Sequence, residues 1–124
     1  MDDLLLEIKK DLGIKNGKIE AQFYKFLIYD VGAFFVSHRD TVKAPGMFGT
    51  LSITLPSVYS GGQLKVRHKD KEITQRGGSR LNQIEYAAFY ANCEHEVLPV
   101  HSGNRICLIY NLVRKQTFVG NTSP

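Results

Sequence analysis

Residues 84–112 read IEYAAFYANCEHEVLPVHSGNRICLIYNL, a run of short apolar segments separated by turn residues. The pattern predicts three neighbouring β-strands: one before Cys93, a second that carries His95, and a third that begins at Arg105 after a turn at residues 102–104. The pattern thereby places two polar side chains, His95 and Arg105, on neighbouring strands that face one interior.

Alternation in the last of these strands divides its side chains between two faces. Arg105, Cys107, Ile109 and Asn111 share one face, and the residues between them share the other. Both faces are largely apolar, which indicates a strand covered on both sides. A guanidinium on the inner side then needs an anionic partner to offset its desolvation. Taken alone, the residue favours the alternative that Arg105 ends the strand with its head in water.

Length and composition indicate one globular, mainly β domain. The chain has 124 residues, of which 43% are hydrophobic, enough for one core but not for two. Its net charge of +4 comes from scattered residues, so we expect no nucleic-acid partner. The two cysteines, Cys93 and Cys107, fall in predicted strands and are expected as free thiols. An acidic start and the lack of a long apolar run predict a cytoplasmic protein without signal peptide or membrane segment.

The first half of the chain predicts one helix and several strands. Asp2 or Asp3 is expected to cap a short helix that Gly13 ends. Residues 22–30 predict a strand with Phe23, Lys25, Leu27 and Tyr29 on one face. Along the chain we count some eight short strands and no helical crossovers, which favours a closed sandwich or jelly roll over a parallel α/β sheet.

A second strand offers a face of hydroxyl groups. Thr50, Ser52 and Thr54 alternate with aliphatic residues, so their side chains line either solvent or a cavity. The next segment, residues 57–62, reads as a loop.

One short motif has the spacing of metal ligands. In an extended segment His38 and Asp40 point to the same side, so an imidazole and a carboxylate can approach one metal ion. Taken alone, such a pair is usually a surface hydrogen bond. With His95 the set becomes two imidazoles and one carboxylate, as expected for non-haem Fe(II) with open positions. Arg105 follows His95 by ten residues and could hold a dicarboxylate whose other end chelates the metal.

At this point the sequence resembles the 2-oxoglutarate- and Fe(II)-dependent dioxygenases, specifically the prolyl 4-hydroxylase-like group. The resemblance runs from about residue 24 to residue 112. It is carried by the motifs HRDT at 38–41, GTL at 49–51, GGQL at 61–64, CEHEV at 93–97 and SGNR at 102–105.

The resemblance implies a double-stranded β-helix (jelly roll, cupin-like) with one short N-terminal helix. His38, Asp40 and His95 would bind Fe(II), and Arg105 would pair with the distal carboxylate of 2-oxoglutarate. Tyr29 and Thr54 would face the cosubstrate, although both fit a plain core position as well. The chain then divides into an N-terminal helix and turn at 1–20, a dioxygenase domain at 21–113 and a frayed tail at 114–124.

The implied reaction is hydroxylation of a C–H bond, most simply of a peptidyl proline, with O2 and oxidative decarboxylation of 2-oxoglutarate to succinate and CO2. Ascorbate would serve as reductant, and the partner would be a protein or peptide substrate or a small molecule. Two alternatives stay open: a jelly roll that binds metal and 2-oxoglutarate without turnover, and a fragmentary partner-binding scaffold. Since few residues precede the first barrel strand, one sheet face is expected to be partly uncovered.

Overall fold

The fold is known from a computed structural model, which describes residues 1–75 and 84–115. The chain is mainly β with one short helix, as the sequence predicts. The connector predicted at residues 76–80 and the tail from residue 116 onward lie outside the described residues. The elements in chain order are α1 (Asp2–Asp11), β1 (Lys18–Tyr29), β2 (Phe35–His38), β3 (Met47–Thr54), β4 (Tyr59–Gly61), β5 (Leu64–His68), β6 (Lys71–Gln75), β7 (Glu85–Tyr90), β8 (Glu94–Val97), β9 (Val100–Gly103) and β10 (Arg105–Lys115).

Two four-stranded antiparallel sheets form the body of the jelly roll. The first has the strand order β1-β10-β3-β7, and the second has the order β2-β8-β5-β6. A short ribbon of β4 and β9 joins them at one end. The prediction of a loop at residues 57–62 was wrong, because β4 lies within that segment and is too short to show a side-chain period.

The first sheet buries side chains on both faces. Its inner face shares a core with the second sheet, in which Cys107 of β10 packs with Val97 of β8. Its outer face packs against the N-terminal segment, where Leu51 and Leu112 are fully buried. Each such leucine contributes about 1.5–3 kcal/mol of hydrophobic burial. The alternation predicted for β10 is therefore confirmed, and this strand lies in the middle of the core.

Helix α1 covers part of that outer face through Ile8, whose side chain is fully buried. The predicted cap was wrong, because Met1 occupies the N-cap position and no side chain caps the helix. Asp2 and Asp3 instead lie in the first turn, where a negative charge is favourable. Gly13, with φ +74°, follows the last turn as expected. In the described segments no helix has the length and apolar character needed to cross a lipid bilayer.

A β-bulge at Tyr24 changes which side chains of β1 face inward. Phe23 pairs with Tyr110 of β10 and Lys25 pairs with Ile109, so Tyr24 has no pairing partner in β10. The prediction that Phe23 shares a face with Lys25 was therefore wrong: Phe23 contacts the Tyr110 ring on the outer face, with centroids 5.6 Å apart. Lys25 and the inward residues after it face the interior of the roll.

Candidate metal and cosubstrate site

Strand pairing brings the two predicted histidines together across 57 residues of chain. His38 ends β2 and His95 lies in β8, and the two residues are direct partners in the antiparallel ladder. Their ring centroids are 4.1 Å apart. Asp40 follows directly after β2, and its backbone N–H donates to the carbonyl of Ala91 at 3.1 Å. This bond ties the segment after the strand to the turn before β8.

The three side chains point one ligand atom each at a common space. Nε2 of His38 is 3.6 Å and Nε2 of His95 is 3.4 Å from Oδ1 of Asp40. The three ligand atoms lie within 4.8 Å of one another, and in the described part of the chain this is the group of His, Cys, Asp and Glu with that property. Ligands about 2.0–2.2 Å from one metal ion at right angles lie about 3 Å apart. The two separations from Oδ1 of Asp40 need only a small contraction to reach that value.

Hydrogen bonds favour the ligating tautomer of both imidazoles, and burial favours the neutral form of His95. With a proton on Nδ1, His38 donates to the carbonyl of Val36 at 2.9 Å, and His95 donates to the carbonyl of Cys93 at 3.4 Å. These bonds leave Nε2 as the free lone pair in both rings. Burial lowers the pKa of His95, although the nearby Asp40 carboxylate opposes the shift. A neutral imidazole is the form that binds a metal.

The carboxylate of Asp40 has a partner of its own. The hydroxyl of Thr50, on β3, donates a short hydrogen bond to Oδ2. Oδ1 is therefore the oxygen that faces the two imidazoles. Thr50 was predicted on a polar face of its strand but not in this role, because only the strand register shows which residue it meets.

Arg105 is buried, with 2% of its surface exposed, at the first position of β10. Its guanidinium donates to Sγ of Cys107 at 2.8 Å and to Oγ1 of Thr54 at 3.4 Å. No carboxylate within residues 1–75 and 84–115 forms an ion pair with it. The alternative of a solvated strand-end arginine is therefore wrong. A buried guanidinium that meets only neutral groups costs several kcal/mol unless an anion binds beside it.

Two tyrosines complete the surroundings of this guanidinium. Tyr29 pairs with Arg105 in the β1/β10 ladder, and the guanidinium carbon lies 5.6 Å from its ring centroid. Burial raises the pKa of Tyr29 to about 12, in spite of the opposing charge of Arg105. Tyr59 is buried as well, and burial raises the pKa of this tyrosine in spite of the opposing charge of Arg105. Sequence reasoning missed Tyr59 because it lies in the segment predicted as a loop.

One cavity of about 280 Å³ connects the His–Asp–His group with Arg105. Its volume is close to the lower end of the range for ligand pockets, about 300–1,000 Å³. Five of the six predicted site residues line it: Tyr29, His38, Asp40, His95 and Arg105. Thr54 does not line the cavity, but it contacts Arg105 from behind. The cavity wall also includes Tyr24, Lys25 and Lys43, which were not predicted as site residues from the sequence.

The other residues near His95 do not point into this group. Cys93 is a free thiol that packs in the inner core. Glu94 pairs with Arg39 at 3.0 Å, and Glu96 pairs with Arg67. The carboxylates on either side of His95 are thus paired with arginines and do not line the cavity.

Comparisons with known proteins give one family match and several structures of similar fold. The family model for the 2OG-Fe(II) oxygenase superfamily matches residues 24–113. No curated protein sequence is similar enough to count as a relative of this chain.

Solved structures that share the fold include the following three proteins. An oxidoreductase of the 2OG-Fe(II) oxygenase family from Burkholderia pseudomallei has a TM-score of 0.68 at 16% identity, and the match covers 82% of this chain and 48% of that one. A prolyl-4-hydroxylase from Pseudomonas putida has a TM-score of 0.63 at 24% identity, with 93% and 63% covered. A viral collagen prolyl hydroxylase from Paramecium bursaria Chlorella virus-1 has a TM-score of 0.53 at 17% identity, with 93% and 69% covered. This chain thus spans about half of the first protein and less than two thirds of the second.

Proposed function

Because the chain belongs to the 2OG-Fe(II) oxygenase superfamily, we propose that it is a 2-oxoglutarate-dependent dioxygenase whose iron ligands are His38, Asp40 and His95. One observation carries the proposal: a buried arginine, which no carboxylate of the described residues pairs with, shares a cavity with two imidazoles and a carboxylate. The first feature calls for an anion and the second for a divalent cation. 2-Oxoglutarate, an anion that can also chelate a metal, meets both requirements.

The donor set fits Fe(II). Two neutral imidazoles and one carboxylate leave further coordination positions for a cosubstrate and O2, as in the 2-His-1-carboxylate sites of non-haem iron oxygenases. With 2-oxoglutarate and O2, the bound iron would supply the oxidation of a C–H bond to an alcohol, with release of succinate and CO2. Ascorbate would act as reductant for iron that has become oxidised.

The residues of this chain would bind and orient the cosubstrate and shield the metal ligands from water. Arg105 would pair with the distal carboxylate of 2-oxoglutarate, with Thr54 holding the guanidinium from behind and Tyr29 beside it. The ring of Phe89 lies 4.6 Å from that of His95, and the ring of Phe35 lies 4.3 Å from that of His38. These apolar rings reduce the access of water to the imidazoles and present an apolar surface to a C–H bond.

We propose a peptidyl proline as the substrate group. Two of the similar structures are prolyl hydroxylases, and the wall of the cavity beside the metal ligands is aromatic. The substrate partner would then be a protein or peptide with an exposed proline.

The test is anaerobic addition of Fe(II) and 2-oxoglutarate to the purified protein. We expect a visible metal-to-ligand charge-transfer band, and after admission of air we expect succinate to form. His38→Ala should abolish both signals, whereas His101→Ala, which removes an exposed histidine of β9, should keep both.

Three results would contradict the proposal. Absence of the band in the wild-type protein, or an equal band in His38→Ala, would exclude this iron site. A band without succinate for any proline-containing peptide would favour the alternative of a binding protein without turnover.

A further inference from the structure

Two lysines and a tyrosine form one side of the cavity wall. Nζ of Lys25 lies 5.0 Å from the centroid of the Tyr24 ring, and Nζ of Lys43 lies 5.1 Å from the same centroid. Both lysines are exposed and both line the cavity, as does Tyr24. The bulge in β1 places Tyr24 and Lys25 there, and Lys43 comes from the segment between β2 and β3. We call these three residues the basic rim.

Neither lysine of the basic rim is neutralised by an acidic residue. In the part of the chain that the structure describes, no carboxylate forms an ion pair with Lys25 or Lys43. Nζ of Lys43 donates instead to the carbonyl of Thr41 at 3.2 Å. Arg39, the other cation at this wall, is paired with Glu94 at 3.0 Å. Among the described residues, the two lysines of the rim thus keep positive charges that no acidic side chain neutralises.

The proposed iron and 2-oxoglutarate do not neutralise the positive charge of the two lysines. A divalent iron and Arg105 together carry three positive charges, and Asp40 with doubly ionised 2-oxoglutarate carries three negative charges. Asp40 is the only acidic residue among the described residues that line the cavity. Two positive charges at the rim therefore face a neutral interior, and a cleft lined by one sign of charge attracts ligands of the other.

We propose that the substrate is an acidic peptide, with an Asp or Glu carboxylate beside the hydroxylated residue that binds to Lys25 and Lys43. This inference rests on the proposed function, since it takes the peptide as substrate. The exposed ring of Tyr24, with 42% of its surface accessible, offers apolar contact to the stem of the acidic side chain. A carboxylate near two ammonium groups needs no planar fork, which fits lysine as the residue type at this wall.

The test measures binding and needs no turnover. Two peptides with the same proline-containing sequence, one with Glu and one with Gln beside the proline, carry a neutral fluorophore and are titrated with the protein at low salt. We expect the Glu peptide to bind about five- to tenfold more tightly, because two ion pairs are formed. This advantage should shrink as salt is raised to screen the charges.

Matched variants locate the effect. In Lys25→Gln/Lys43→Gln the Glu and Gln peptides should bind within about twofold of each other, whereas Lys10→Gln, an exposed lysine of α1 outside the cavity, should keep the full difference. Equal binding of the two peptides to the wild-type protein would overturn the inference. So would a difference that survives in the double variant, or tighter binding of a single-stranded oligonucleotide of equal charge at the same lysines. The proposed function is judged separately, by the charge-transfer band and succinate, which do not depend on these peptides.

Discussion

The hydroxyl of Thr50 donates a hydrogen bond to Oδ2 of Asp40, so that Oδ1 alone faces the two imidazoles. Thr50 lies on β3 of the first sheet, while Asp40 follows β2 of the second sheet. The bond therefore crosses the interior and fixes the orientation of a carboxylate that lies outside any strand. Partners of this kind around a metal ligand typically change metal affinity by 10–100-fold.

Thr50→Val should weaken the binding of divalent metal by about tenfold, because the carboxylate loses the bond that orients it. Valine keeps the shape of the buried side chain and removes only its hydroxyl, so the fold should persist at the cost of one lost hydrogen bond. The measurement is an anaerobic titration with Fe(II), or with Co(II) as a substitute. Thr50→Ser keeps the hydroxyl and should bind like wild type; equal affinity in Thr50→Val would show that Asp40 is oriented by other contacts.

Arg105→Met should abolish the thermal stabilisation of the protein by 2-oxoglutarate without unfolding the protein. Loss of a buried charged partner costs about 2–5 kcal/mol of ligand binding, so we expect affinity to fall by at least about thirtyfold. The free protein should be as stable as wild type or more so, because an apolar side chain replaces an unpaired buried charge.

Thermal unfolding with and without 2-oxoglutarate, in the presence of metal, measures both effects. Arg105→Lys keeps a charge but not the planar fork, and should give an intermediate affinity. A wild-type thermal shift in Arg105→Met would mean that the cosubstrate binds elsewhere.

Alternation alone predicted much of the site. It separated Arg105 and Cys107 from Leu112 in β10, and it put Thr50 and Thr54 on one face. Both results hold because each strand is buried on one or two faces, so a shift by one residue would expose apolar side chains.

Alternation could not predict contacts that depend on register or on irregular backbone. The pairing of His38 with His95 joins strands 57 residues apart, and no local pattern specifies that register. The bulge at Tyr24 adds one residue to β1 and reverses the face of Phe23, which a strict period of two cannot show. Tyr59 lies in a three-residue strand, too short for a period to be seen. The hydrogen bond of Thr50 with Asp40 and the basic rim likewise depend on register or on irregular backbone.

Gly103→Ala should destabilise the protein far more than Gly17→Ala. Both glycines have positive φ, +70° and +87°, so both substitutions carry the strain of a left-handed alanine, about 1–2 kcal/mol. A Cβ on Gly103 would clash with the backbone oxygen of Val58, whereas a Cβ on Gly17 would meet no atom within 4 Å.

The difference between the two variants therefore reports the clash in the β4/β9 ribbon, and we expect it to be roughly 3 kcal/mol in the free energy of unfolding. Urea unfolding of both variants measures it. Since Gly103 lies two residues before Arg105, the Gly103→Ala variant should also bind 2-oxoglutarate more weakly. Equal destabilisation of the two variants would show that the ribbon can separate at little cost.

Tyr29→Phe should make the protein less sensitive to alkali. Burial raises the pKa of Tyr29 in the folded state to about 12, above the ordinary value of 10 expected in the unfolded chain. Between these two values the folded state retains a proton that the unfolded state has lost. Stability is therefore complete below pH 10 and falls as the pH rises towards 12. At pH 11 this one tyrosine should account for a loss of about 1 kcal/mol.

The measurement is the free energy of unfolding in urea at pH 8 and at pH 11, for both proteins. Cysteines and the other tyrosines titrate in wild type and variant alike, so their effects cancel in the difference between the two. The wild-type protein should lose about 1 kcal/mol more than Tyr29→Phe over this interval. An equal loss would mean that the Tyr29 hydroxyl reaches water in the folded protein, which would also weaken its assignment to the buried cavity wall beside Arg105.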